Sequence, residues 1–220
     1  MIKLFTGVLP ITDIQCAVIS SNAKSGTPIY KSETAVFQND GGRLILSGDV
    51  SKDDADEIKA FSKMLGCDLL LSDKKVGAVF GGAVLESGEI AFKKGFGNFN
   101  DTGSYADYKF IYSLLSKEFS LPDYNEFSLT LHRAIRQNSV RVYSSENGVC
   151  IVSQADDTAV VRAVCVDTAH RSQGEGTALL KSVLSDYSGV YLYKAYGKND
   201  EFYHKLGFEI CDEFEIRKLN

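Results

Sequence analysis

The chain has 220 residues, 44% of them hydrophobic and 24% charged, enough for one large domain or two small ones with ordinary cores. A net charge of −5 gives no broad basic surface for nucleic acid, and no stretch approaches the roughly 18 consecutive apolar residues that span a bilayer. The five cysteines (Cys16, Cys67, Cys150, Cys165, Cys211) are odd in number and widely spaced without a C-x-x-C, and the three histidines are scattered. They read as free thiols in a reducing compartment, with no metal-ligand pattern.

At the start of the chain, Pro10 and Asp13 interrupt the apolar run, which argues against a signal peptide; a cytoplasmic protein that does not engage membrane is expected. Residues 1–97 read as strands, one clear helix, then more strands, and are expected to form a small α/β domain. Arg43-Leu44-Ile45-Leu46 is a strand after the turn at Asn39-Asp40-Gly41-Gly42. Ser51-x-x-Asp54 is a capping box, and Ala55, Ile58, Phe61 and Leu65 follow at helical spacing up to the stop at Gly66. Cys67 to Leu71 is a short buried strand. Val76 to Phe92 reads as glycine-rich hairpin material turning at Ser87-Gly88.

Gly95 to Gly103, rich in glycine, asparagine and aspartate and without a period, reads as a linker; its two phenylalanines leave open an ordered loop. Residues 98–220 are expected to be the second domain. Ser104-x-x-Asp107 caps a helix with Tyr108, Ile111, Tyr112, Leu115 and Phe119 on one face. Another helix is predicted over Tyr124 to Asn138. A meander of strands follows, with Asn147-Gly148 as a strong hairpin signal. Both halves therefore contain a strand–helix–strand run. A common β-α-β arrangement accounts for it, the alternative being that the first half is a degenerate copy of the second.

The richest stretch runs from Val164 to Leu180, V-C-V-D-T-A-H-R-S-Q-G-E-G-T-A-L-L. A strand enters a loop ending Arg171-x-x-Gly174-x-Gly176, and a helix starts at once, with Leu179/Val183 and Leu180/Leu184 pairing on its core face. Glycines let backbone amides approach an anion closely, and a helix N-terminus adds partial positive charge. The pattern lacks the third glycine of a dinucleotide fingerprint and the Gly-Lys-Ser/Thr of a P-loop. Farther on, Phe202-Tyr203-His204-Lys205-Leu206-Gly207-Phe208 forms a second motif.

Together the two motifs resemble the GNAT superfamily of acyl-CoA N-acyltransferases, over residues 104–220, about half the chain. The resemblance implies an α+β fold, a GNAT-like mixed, mostly antiparallel sheet flanked by helices, preceded by the smaller α/β domain. It implies acetyl-CoA as acyl donor, no metal, and direct transfer to a primary amine on a small molecule or peptide. Main-chain groups of Val164, Cys165 and Val166 would hold the pantetheine arm as an added strand. Amides from Ser172, Gln173, Gly174, Glu175, Gly176 and Thr177 would hold the pyrophosphate. Arg171 would either add charge there or be an ordinary surface residue. Tyr203 would protonate the departing thiolate. Cys165, between two valines, reads as packing rather than as a nucleophile.

Family members commonly carry an asparagine seven residues before the tyrosine; here Tyr196 holds that place, with Asn199 nearby as a substitute or as a cap. Glu126, Glu146 and Asp156 are the acids considered as general base. A non-catalytic acyl-CoA-binding or regulatory module is the competing reading.

Overall fold

The computed structural model describes residues 1–98 and 107–219. In the first half, β1 (Lys3–Phe5) is followed by α1 (Ile14–Lys24), β2 (Ile29–Lys31), β3 (Ala35–Asp40), β4 (Arg43–Gly48), α2 (Lys52–Met64), β5 (Leu69–Asp73), α3 (Lys74–Phe80) and β6 (Val84–Lys94). In the second half, α4 (Tyr108–Leu115) and α5 (Tyr124–Arg136) precede β7 (Val140–Ser144), β8 (Gly148–Ala155) and β9 (Thr158–Val166). Then come α6 (Glu175–Asp186), β10 (Gly189–Ala195), α7 (Asp200–Lys205) and β11 (Glu209–Lys218).

All these strands join one sheet in the order β1-β2-β3-β4-β5-β11-β6-β10-β9-β8-β7. Among the described residues the only parallel pairs are β4–β5 and β9–β10, each joined by a crossover helix; the rest are antiparallel. The run β4-α2-β5-α3-β6 is therefore repeated as β9-α6-β10-α7-β11. The two copies exchange their last strands: β6 pairs with β10 of the second half, and β11 pairs with β5 of the first. At the centre β6 and β11 pair with each other, Glu89 opposite Glu213. The division at residue 97/98 separates two stretches of chain but not two sheets.

Side-chain alternation sorts the core into two faces. Leu44, Leu46 and Leu70 meet Ala55, Ile58, Val76 and Phe80 of α2 and α3, and Ala91, Val161 and Leu192 meet Leu180 and Val183 of α6. Ile45, Leu71, Ile90 and Phe214 point to the other face, under α1, and Val149, Ile151 and Cys165 lie under α4 and α5. Burying one such leucine side chain stabilises the fold by about 1.5–3 kcal/mol.

Three sequence expectations are corrected. Helix α1 went unread because Ile14 to Ile19 are all buried, so no polar stripe betrays a helical period; Asp13 caps it, accepting from Cys16 N at 2.8 Å. Lys74–Phe80 is a helix rather than hairpin material, capped by Asp73 through Val76 N at 2.9 Å; Gly77 weakened its signal. Ser87-Gly88 is no turn but lies inside β6. A Cβ on Gly88 would sit 2.3 Å from the Lys194 carbonyl oxygen and 2.6 Å from the Phe214 ring, so glycine is there for close approach.

Residues 95–98 also differ from a free spacer. Phe96 N donates to Leu184 O (2.8 Å), Gly97 N to Tyr187 O (3.2 Å) and Asn98 N to Ser185 O (2.8 Å), covering carbonyls at the end of α6 that the helix leaves unpaired. The remainder of the Gly95–Gly103 segment, and Ser104 of the capping box, lie outside the described residues. Asp107 caps α4, accepting from Lys109 N and Phe110 N.

Candidate active site

The site is built where β9 and β10 part. Their parallel pairing runs from Thr158/Gly189 to Val161/Leu192 and stops. Arg162 is the extra residue of a bulge in β9, which bends the strand. Beyond it, Val164, Cys165 and Val166 stay paired to Cys150, Val149 and Gly148 of β8, while β10 continues against β6 to Ala195. The fork leaves the β10-facing backbone edge of residues 163–166 without a neighbouring strand, the geometry that accepts an extended chain carrying amides.

The glycine loop closes the mouth of the fork. Asp167 caps a short turn at Thr168–His170 and is bonded by Lys117 Nζ at 3.0 Å; that bond holds its carboxyl below the usual range. Ser172 (φ 63) and Gly174 (φ 90) both adopt the left-handed conformation. The first intrahelical bond of α6 is Ala178 N to Gly174 O at 2.9 Å, and Gly174 at the cap supplies no side-chain acceptor. The amides of Glu175, Gly176 and Thr177 thus point out of the helix start uncapped, as an anion requires. Gly176 joins the site's parts: a Cβ there would meet the Phe202 ring at 3.4 Å and Val166 Cγ2 at 3.7 Å.

Two residues take structural places. Arg171 Nε donates to Val166 O at 3.1 Å, and its guanidinium pairs with Glu118, bracing the loop between β9 and the chain beyond α4. Cys165 is buried with Sγ 3.5 Å from Leu114 O, and burial pushes its thiol pKa up, the opposite of an activated nucleophile.

Tyr203 stands on α7 between the rings of Phe202 (5.1 Å) and Phe208 (5.8 Å). Burial raises its phenol pKa above the ordinary value, against an opposing pull from Lys194, so it stays protonated. Tyr196 is exposed and donates to Glu213. Asn199 occupies the cap position of α7 with φ 58, but its side chain makes no capping bond. Of the acids considered as base, Glu126 and Glu146 are exposed. Asp156 lies in the turn before β9, at the end away from the fork, 3.9 Å from Lys24.

Sequence reasoning missed the fork and the cluster beside it. Lys194, in the apolar run V-Y-L-Y-K of β10, has a side chain only 5% exposed and is paired with Glu89 and Asp200; a lysine ending such a run was the available signal. Among the described residues, no cluster of three His, Cys, Asp or Glu is placed to hold a metal, and no helix is long and apolar enough to cross a membrane.

The first half repeats the scaffold with a different loop and helix start. Three residues (49–51) join β4 to α2, against eight (167–174) between β9 and α6. Ser51 caps α2 through Asp54 N at 3.1 Å, and Asp53 and Asp54 fill the first turn, repelling an anion. Counted back four residues from the left-handed glycine after each helix, Gly81 and Gly207, the place of Tyr203 is taken by Gly77. A Cβ there would lie 3.0 Å from both Arg217 Nε and Glu215 Oε2.

Residues 135–210 match the family model for the acetyltransferase (GNAT) domain. That match lies within the second half, whose fold is GNAT-like. No curated protein sequence matches the chain at a significant level. Among solved structures, a GCN5-related N-acetyltransferase from Kribbella flavida is similar over 94% of this chain and 96% of its own, at 10% identity and a TM-score of 0.59. A tandem GNAT protein from the clavulanic acid biosynthesis pathway is similar over 88% and 82%, at 13% identity and a TM-score of 0.53. A GNAT-family acetyltransferase from Colwellia psychrerythraea is similar over the full length of both, at 10% identity and a TM-score of 0.53. At these identities the likeness is one of fold, and it takes in both halves: one GNAT-like unit is preceded by another.

Proposed function

We propose that the GNAT domain transfers an acetyl group from acetyl-CoA directly to a primary amine of a small molecule or peptide. The observation that carries this reading is the continuity of the fork with the uncapped start of α6: one free strand edge, Val164–Val166, leads straight to the amides of Ser172–Thr177. Acetyl-CoA supplies an amide-bearing arm, a pyrophosphate and a thioester that an amine can attack. The strand edge binds and orients the arm, the glycine loop holds the charge, and α7 sets Tyr203 beside the path. Its hydroxyl gives its proton to the departing sulfur as the carbonyl carbon exchanges its bond to sulfur for one to nitrogen. The amine attacks neutral, so a group at the mouth must take a proton from it. Buried Cys165 forms no covalent intermediate.

Thiol release from acetyl-CoA over a panel of amines tests the reading. Amine-dependent release that falls about 10²- to 10⁴-fold in Tyr203→Phe is expected. Tight binding of acetyl-CoA with no release over any amine would identify a non-catalytic binding module instead.

A further inference from the structure

We infer that Lys194 is a positioning residue for Tyr203, set in place by Glu89, a residue of the first half. The inference rests on the acetyl-transfer reading above for its kinetic consequence, and on geometry for its structural one.

Helix α7 has six residues and no side-chain cap, too short to stand by its own hydrogen bonds. What ties its first turn to the sheet is Lys194 Nζ, 2.7 Å from Asp200 Oδ1, three residues before Tyr203. Lys194 is in turn paired with Glu89, its cross-strand partner on β6. Burial alone would depress the lysine pKa; Asp200 and Glu89 outweigh it and keep the ammonium charged. The other end of α7 also rests on β6, since a Cβ on Gly207 would lie 2.9 Å from Lys93 Nζ. The exchanged strand of the first half therefore underlies both ends of the helix carrying the acid. The charged or titratable groups facing Tyr203 are Lys194 from β10 and Cys150 from β8.

Substituting Lys194→Met keeps the buried volume, and the two carboxylates left behind, 24% and 58% exposed, remain hydrated, so the fold survives. In the free protein, hydrogen exchange of residues 200–207 should rise about tenfold or more in Lys194→Met and in Glu89→Gln, with α6 unchanged and Lys194→Arg restoring protection. Unchanged exchange in α7 overturns the inference. In turnover, Lys194→Met should lower kcat about 10- to 100-fold with KM for acetyl-CoA within about twofold, and add nothing to Tyr203→Phe. Fully additive losses, or a loss confined to KM, also overturn it. Wild-type turnover indifferent to Tyr203→Phe would count against the acetyl-transfer mechanism, leaving the exchange measurement to decide the tie.

Discussion

Gly176 and Phe202 are in van der Waals register: the ring lies 3.4 Å from where a Cβ on the glycine would be. The start of α6 and the helix carrying Tyr203 thus touch where one has no side chain. Gly176→Val should push α7 away and raise KM for acetyl-CoA about tenfold or more, with overpacking costing about 1–3 kcal/mol. Steady-state kinetics and a denaturant melt measure both; wild-type KM in a folded variant would refute the contact's role.

Gly174 offers a different test, because a Cβ there meets nothing within 4 Å but its φ is +90. Gly174→Ala should therefore destabilise by backbone strain alone, about 1–2 kcal/mol. A melting curve unchanged within error would show that the loop relaxes freely.

One molecule of acetyl-CoA should bind per chain. The first half has a three-residue connection, a helix start capped by Ser51 and surrounded by Asp49, Asp53 and Asp54, and Gly77 at the tyrosine's place. Isothermal titration should give a stoichiometry of one, and Ser51→Ala should not create a second site. Two equivalent sites would mean that charge and loop length do not exclude the donor.

Residues 98–220 alone should not fold. Removing β6 leaves β10 with a bare edge and takes from β11 its partner on one side, while loss of β5 takes the other. Helix α1, whose Ser21 Oγ donates to Ser139 O at 2.6 Å, would vanish from the core as well. The fragment should be insoluble or lack a cooperative transition; a soluble monomer with a sharp melt would contradict this.

The pH dependence follows from Tyr203. Its folded pKa is raised above 10.0, chiefly by burial, so the protonated phenol is favoured in the fold. That preference is fully present below the unfolded pKa and is lost as pH rises through the folded one. The kcat profile should carry no descending limb from this acid below pH ~10. A limb near neutrality that disappears in Tyr203→Phe would overturn the assignment.

The local patterns were legible in the chain. Gly174-x-Gly176 between an apolar strand and an amphipathic helix, and Tyr203 ahead of Gly207-Phe208, are short-range patterns, and short-range patterns survive in sequence because neighbours in the chain are neighbours in the loop. The hairpin at Asn147-Gly148 and the helix after Ser51 were readable for the same reason. What was hidden lay where distant residues override local signals. Helix α1 has no polar face because it is buried nearly all round. Gly88 looks like a turn until Phe214 and the Lys194 carbonyl crowd it. The first and second halves look like separate domains until β6 and β11 trade places.

The sequence by itself thus determined the glycine loop, the helix of the candidate acid and the strand that leads to the loop, each encoded within about ten residues. Only the tertiary structure decided that β9 and β10 part beyond Val161 and Leu192 and that Glu89 pairs with a lysine 105 residues away. It also decided that the first half repeats the scaffold with a three-residue connection and a side-chain-capped helix start. Strand exchange and the fork depend on hydrogen bonds and packing between residues far apart in the chain. No local propensity records such pairings, because they exist only once the whole sheet is assembled.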